Sequence, residues 1–213
     1  MKTALVKLIL LFLACLTFGR SNHLEPEPGI FSTYEVIHQY FAYTKYKLLK
    51  GTSNNPEVLL IFLPSFEPES AFLIESRDSD STYILSYLCC EEQIWYSEDA
   101  EKIEIKKKQI EVSQNFVELI NGLWALALAE TKYPNEPTLG LDGETFIFLA
   151  PIRGGESGLG RGIRAGSIWS PSEGCLPYEI IELTRGIIES LNGDSFEEEE
   201  FIPRIAEITK KYE

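Results

Sequence analysis

The chain has 213 residues, 44% of them hydrophobic, with 19 Lys and Arg against 33 Asp and Glu and a formal charge of −14. That composition is globular, and the charge disfavours sequence-independent nucleic-acid binding through phosphate neutralisation and makes acidic membranes poor partners. With only His23 and His38, and no CxxC or HxxxH spacing, the sequence argues against chemistry built on several imidazoles and against a zinc site, so no metal is expected.

Lys2 and Lys7, the apolar run Leu8 to Leu13, and the small residues Ala14 and Gly19 have the layout of a secretory signal peptide, residues 1–19. The uncharged stretch ends at Arg20, short of the ~20 apolar residues that a spanning helix needs. No transmembrane span is expected in the mature protein. Thr17 and Gly19 suit cleavage before Arg20, and loss of Lys2 and Lys7 takes the charge from −14 to −16. Phe12-Leu13-Ala14-Cys15 resembles a bacterial lipobox that would lipidate Cys15 and anchor the protein to a membrane. Phe in place of the usual Leu weakens that match, so soluble release to the periplasm or medium is preferred. No Asn-X-Ser/Thr sequon occurs.

Residues 20–30 are polar and contain proline, and read as a linker to a single domain over 31–213. Ser32 and Glu35 match a capping box for a helix over 33–50, with Tyr34, Ile37, Phe41, Thr44 and Leu48 at helical spacing, Gly51 as its stop and His38 at the boundary of its stripe. Strands follow at Val58–Leu63, Ala71–Ser76 and Thr82–Cys90, with Arg77 to Ser81 as a hairpin turn. From Lys102 to Val112 the apolar parity breaks across Lys106-Lys107-Lys108, which predicts a bulge or turn there, with the lysines guarding a sheet edge. Ser113 is the expected N-cap of a buried helix running to Thr131, with Trp124 in the core.

A turn at Asp142-Gly143 leads to a strand over Thr145–Leu149. Pro151 to Gly166, with six glycines and Arg153, Arg161 and Arg164, is the loop of a hairpin that returns through Ile168-Trp169. A helix from Pro177 to Asn192 and a short one carrying Ile202, Ile205, Ile208 and Tyr212 complete the chain, and the acidic run Glu197 to Glu200 reads as a solvated face. The order predicts an α+β fold: a mostly antiparallel sheet packed with three to four helices in one compact domain.

Cys89, Cys90 and Cys175 remain after loss of the leader. In an oxidising compartment one disulfide from Cys175 to Cys89 or Cys90 is the economical outcome; three thiols packed as small hydrophobes are the alternative. Cys89 and Cys90, adjacent in a strand, should face opposite sides.

Gly160 to Ala165 formally matches G-x-G-x-x-A but leads into a strand rather than a helix. Phosphate-loop and nucleophile-elbow motifs are absent, so no cofactor is expected. Arg153, Arg161 and Arg164, with Trp169, form the candidate contact surface for an anionic ligand or a partner protein. Asp142 with Glu144, or Glu179 with Glu182, are the carboxylate pairs that a cofactor-free hydrolase would use as acid and base. Trp95, Tyr96, Trp169 and Tyr178 are candidates for a sugar platform. An exported, non-enzymatic binding or interaction protein is the leading reading and such a hydrolase the alternative. A hydrolase should hold a raised-pKa carboxylate in a concave pocket, whereas a binder should expose an apolar or aromatic patch.

Overall fold

A computed structural model describes residues 22–26, 35–53, 55–77, 82–133, 143–152 and 162–213. The expected leader with Cys15, Ser32 of the expected capping box, the side chain of His38, residues 78–81 of the expected turn, Asp142, Arg153 and Arg161 lie outside the described residues.

The fold is α+β. Its strands are β1 (Glu25–Pro26), β2 (Val58–Pro64), β3 (Ser70–Arg77), β4 (Thr82–Cys90), β5 (Ile105–Val112), β6 (Glu144–Ile152) and β7 (Gly162–Trp169). They form one antiparallel sheet in the order β1-β7-β6-β2-β3-β4-β5. The helices among the described residues are α1 (Glu35–Leu48), α2 (Gln114–Ala129), α3 (Leu176–Asn192) and α4 (Glu198–Tyr212). Strands β2 to β5 form a meander. Helix α2 then carries the chain back so that β6 pairs with β2, which makes the first strand of the meander a central one.

Burial on both sides explains why Val58 to Leu63 is apolar without alternation. Val58, Leu60 and Phe62 enter the larger core beneath α2, α3 and α4, and Leu59, Ile61 and Leu63 enter the smaller core on the α1 side. Trp124 of α2 is fully buried between Phe72 and Phe148, with ring centroids 6.3 and 5.7 Å away. Its indole N–H donates to the Leu59 carbonyl at 3.1 Å, so the ring is buried without an orphaned donor. Ser113 caps α2 as expected, accepting from the Phe116 N–H at 3.2 Å. Glu198 accepts the Ser113 N–H at 2.6 Å, so one residue of the acidic run ties α4 to the start of α2.

Three expectations are revised. The pairing of β4 with β5 runs unbroken from Tyr83↔Val112 to Cys90↔Ile105, without a bulge at the lysines. The parity break is real but has another cause. Ile110 packs on the larger core and Ile105 on the smaller, so one regular strand serves both faces. The lysines do lie on an edge strand.

The hairpin loop is shorter than its glycines suggest, because β6 continues to Ile152 and β7 starts at Gly162. Gly166 has a packing reason: a Cβ there would lie 3.1 Å from Leu24 Cβ and 3.3 Å from the Glu25 carbonyl oxygen. Its absence lets β1 reach the edge of the sheet. Within the polar segment 20–30, Leu24 is fully buried in the larger core and Glu25 and Pro26 pair with Ser167 and Gly166.

The disulfide does not form: Cys89, Cys90 and Cys175 are all free thiols. Cys90 packs in the α1-side core, where burial and nearby Glu69 push its pKa up to about 12. Cys89 faces the other way, beside Ile188 and Glu189 in the second half of α3, while Cys175 caps the first turn of that helix. At ~1.5 Å of rise per residue the two ends are on the order of 20 Å apart, whereas a disulfide needs Cα atoms within ~6 Å.

Candidate functional site

The meander brings the β2–β3 turn and the β4–β5 connection to one end of the sheet, where a buried carboxylate organises them. Glu69 has no exposed surface and accepts three hydrogen bonds: from the Tyr40 hydroxyl at 2.6 Å, the Ile94 N–H at 2.8 Å and the Trp95 N–H at 3.3 Å. A buried carboxylate satisfied in this way fixes whatever supplies the donors. Here they are α1 and the connection. Burial and the Glu69 carboxylate hold the Tyr40 phenol far above its ordinary pKa, so it stays a neutral donor. The Gln93 carboxamide donates to the Ser65 carbonyl at 2.9 Å, and Lys47 Nζ to the Glu101 carbonyl at 3.0 Å, which completes the attachment.

This clamp leaves aromatic rings outward. Trp95 stands edge-on to Tyr40 with centroids 4.8 Å apart and is still 43% exposed, while Tyr96 is 65%, Tyr46 66% and Phe66 69% exposed. Around them, the segment from Glu91 to Glu104 carries six carboxylates and one lysine, Lys102, which pairs with Asp99 at 2.5 Å. Asp99 and Glu101 both act on Tyr43 of α1 and, after burial, raise its pKa, which places their charge against the helix. The end of the sheet is therefore aromatic and acidic together.

The four aromatic residues singled out from the sequence do not form one platform. Trp95 and Tyr96 belong to this end. Trp169 is half-buried at the end of β7, its indole filling the space where a Cβ on Gly143 would lie, 2.6 Å from its Nε1. Tyr178 lies on α3, on the other face of the sheet.

A groove of about 430 Å³ opens on that other face, between the second half of α3 and strands β2, β4 and β6. Glu144 starts β6 within it, held by its neighbours. Ser65 donates its N–H to the Gly143 carbonyl at 3.0 Å, and Ser170, at φ 40°, donates its N–H to the Glu144 carbonyl at 2.9 Å. The Arg185 guanidinium bonds Glu144 through Nη2 and Glu182 through Nη1, the latter at 2.8 Å, and lies 5.5 Å from the Phe146 ring centroid. Burial raises the Glu144 carboxyl pKa, and Arg185 opposes the shift.

The pocketed, raised-pKa carboxylate expected of a hydrolase is thus present, but its partners are engaged. Asp142 lies outside the described residues. Glu182 shares the guanidinium that holds Glu144, and Glu179 is bonded by Lys211 at 3.0 Å. Glu144, Glu182 and Glu179 are thus each held in an ion pair. Cys175 is no better placed as a nucleophile, since burial raises its thiol pKa and keeps it protonated.

Arg164 is exposed on β7 opposite Ala150, and Arg153 and Arg161 lie outside the described residues, so the arginine surface is represented by one member. Among the described residues no cluster of three or more His, Cys, Asp or Glu could hold a metal, and no helix is long and apolar enough to cross a membrane. Glu69 and Arg185 carry the most interactions at the two sites, and sequence reasoning singled out neither. The only signal was indirect: Glu69 adjoins a strand, where a carboxylate without a partner would be costly. Set against known proteins, the chain matches no protein-family model, no curated sequence and no solved structure.

Proposed function

We propose that the chain is an exported, non-enzymatic binding protein that docks a basic partner protein on the aromatic, acidic end formed by α1, the β2–β3 turn and the β4–β5 connection. One observation carries this reading: Phe66 in the β2–β3 turn and Trp95 and Tyr96 in the β4–β5 connection, three of the six large hydrophobic residues exposed among the described ones, lie at that end, and Tyr46 is exposed on α1, the helix clamped there through Tyr40. Scattered exposed apolar residues need no explanation, but a group of Tyr and Trp on a rigid support is the composition of interface hot spots. The surrounding carboxylates select a cationic partner and speed its approach, and aromatic faces receive Lys and Arg through cation–π contacts. Export rests on the basic-then-apolar leader, with Leu24 entering the core five residues past Gly19.

The test is a panel of synthetic peptides, either rich in Lys, Arg and apolar residues or with Glu replacing each cation. Saturable binding of the basic set is expected, weakened about tenfold or more by Trp95→Ala or Tyr96→Ala, as for interface aromatics. Equal binding of the acidic set overturns the assignment. Hydrolysis of a glycoside panel that Glu144→Gln abolishes would establish the rival hydrolase, which the raised carboxyl of Glu144 favours. Intact mass of the exported protein tests the leader: the chain should start at Arg20, and a lipid adduct on Cys15 would make it membrane-anchored.

A further inference from the structure

The groove beside α3 lies on the opposite face of the sheet from α1 and has its own chemistry. Its floor is apolar, built from Phe62, Pro64 and Ile188 with the ring of Tyr87. Its walls carry Glu67, Glu144 and Glu189 against a single guanidinium, that of Arg185. That cation is already divided between Glu144 and Glu182 and lies over Phe146. The lysines of the adjoining strand do not redress the balance. Lys106, opposite Cys89, is paired with Glu91 at 3.1 Å, and Lys108, opposite Tyr87, with Asp194 at 2.6 Å.

We infer that this groove is a binding site for a small organic cation, an amine or guanidine with an apolar body. A volume of about 430 Å³ falls in the range of small-molecule pockets, ~300–1,000 Å³. The apolar body displaces water from Phe62 and Ile188, and the cationic head meets the carboxylates of Glu67 and Glu189 at the rim and Glu144 within. An anion of the same shape brings its charge toward three carboxylates and is rejected; a neutral analogue leaves the rim carboxylates of Glu67 and Glu189 without a cation. Burial already disfavours the ionised form of Glu144, and a bound cation relieves that penalty. The Tyr87 phenol, pushed up to about 12 chiefly by burial, stays neutral and offers a hydrogen bond rather than a competing charge.

The probes are phenethylamine, 2-phenylethanol and 3-phenylpropionate, which keep a phenyl body and change the head from cation to neutral to anion. Each is titrated into the full folded chain and followed by backbone amide NMR. Phenethylamine should saturate with a Kd of about 1 mM or tighter, a bound set by its few heavy atoms. Its shifts should centre on Glu67, Tyr87, Ile188 and Asn192. The alcohol should bind about tenfold more weakly, and the acid should not saturate.

The double variant Glu67→Gln, Glu189→Gln alters two exposed rim side chains, so its melt should coincide with that of the native protein while affinity for the amine falls about tenfold. Trp95→Ala, on the other face, should leave the amine titration unchanged. The assignment is overturned if the amine fails to saturate, if the acid or alcohol binds as tightly, if the shifts map elsewhere, or if the double variant binds the amine unchanged.

Discussion

The two faces of the sheet are held by different means. Beneath α2, α3 and α4, the cover is a continuous apolar layer in which Phe72, Phe116, Trp124 and Phe148 have essentially no exposed surface. On the other face one helix and the connection from Glu91 to Glu104 supply a thinner cover, and a buried carboxylate holds them in place. Where apolar area is plentiful, position follows from shape and the surface can be polar. Where it is scarce, directed hydrogen bonds fix the chain, and aromatic rings that cannot all be covered remain at the surface.

The contrast can be broken most decisively at Trp124. Trp124→Ala should cost ~3–5 kcal/mol in urea melts, as a large truncation in a core that cannot collapse onto the space. A loss below about 1 kcal/mol would mean that the helical face does not rest on that ring. Glu69→Ala should cost somewhat less, about 2–3 kcal/mol, the scale of hydrogen bonds to a charged group. Its effect should be local, with amide exchange at Ile94 and Trp95 accelerating far more than at Ile120 or Leu123. Uniform acceleration would show that the two faces are not separately held.

Arg185 sharpens the comparison at the rim of the helical face. The pKa of Glu144 is raised in the folded state, so its contribution favours folding below the ordinary carboxylate pKa and is lost as pH rises through the raised value. Removing the guanidinium that opposes the shift extends the loss. Arg185→Met should therefore destabilise more at pH 8 than at pH 4, by on the order of 1 kcal/mol, with surface exposure limiting the size. Adding Glu144→Gln together with Glu182→Gln should remove the difference between the two pH values, and a pH-independent cost would assign Arg185 a packing role alone. The smallest effect is expected for Cys175→Ser, within about 0.5 kcal/mol of the native protein, with the same melting temperature in the presence and absence of reductant.

Legibility followed the same division. The six-residue apolar run of β2, the cap at Ser113 and the crowded apolar surface of α2 announced the helical face, because burial leaves a compositional trace. At β5 the trace was correct and its interpretation was not: a parity break reads as a bulge only if the strand has one apolar face, and Ile105 and Ile110 belong to different cores. Glycines mislead in the opposite sense, since Gly162 and Gly166 lie in β7 rather than in a turn, and Gly166 is there for reasons of space. Trp95 and Tyr96 stand out as aromatics, but their placement beside the turn that carries Phe66 depends on the bonds of Glu69 to Tyr40, Ile94 and Trp95, between segments distant in sequence. Arg185 leaves no trace of its role and Glu69 only its place beside a strand, because in the sequence a carboxylate or guanidinium looks the same whether it meets water or a partner.

The position of β2 sets an order of events during synthesis. Its inner neighbour β3 follows at once, but the strand that covers its other edge, β6, is made only after the whole meander and α2. Until Leu60 can face Phe148 and Ile61 can face Ile147, the most hydrophobic strand presents an open ladder of amides and carbonyls. Such an edge recruits other chains as readily as its own. A nascent chain ending anywhere between Val112 and Glu144 is thus the most aggregation-prone form of this protein, and pairing over so long a separation should make closure of the sheet its slow folding step.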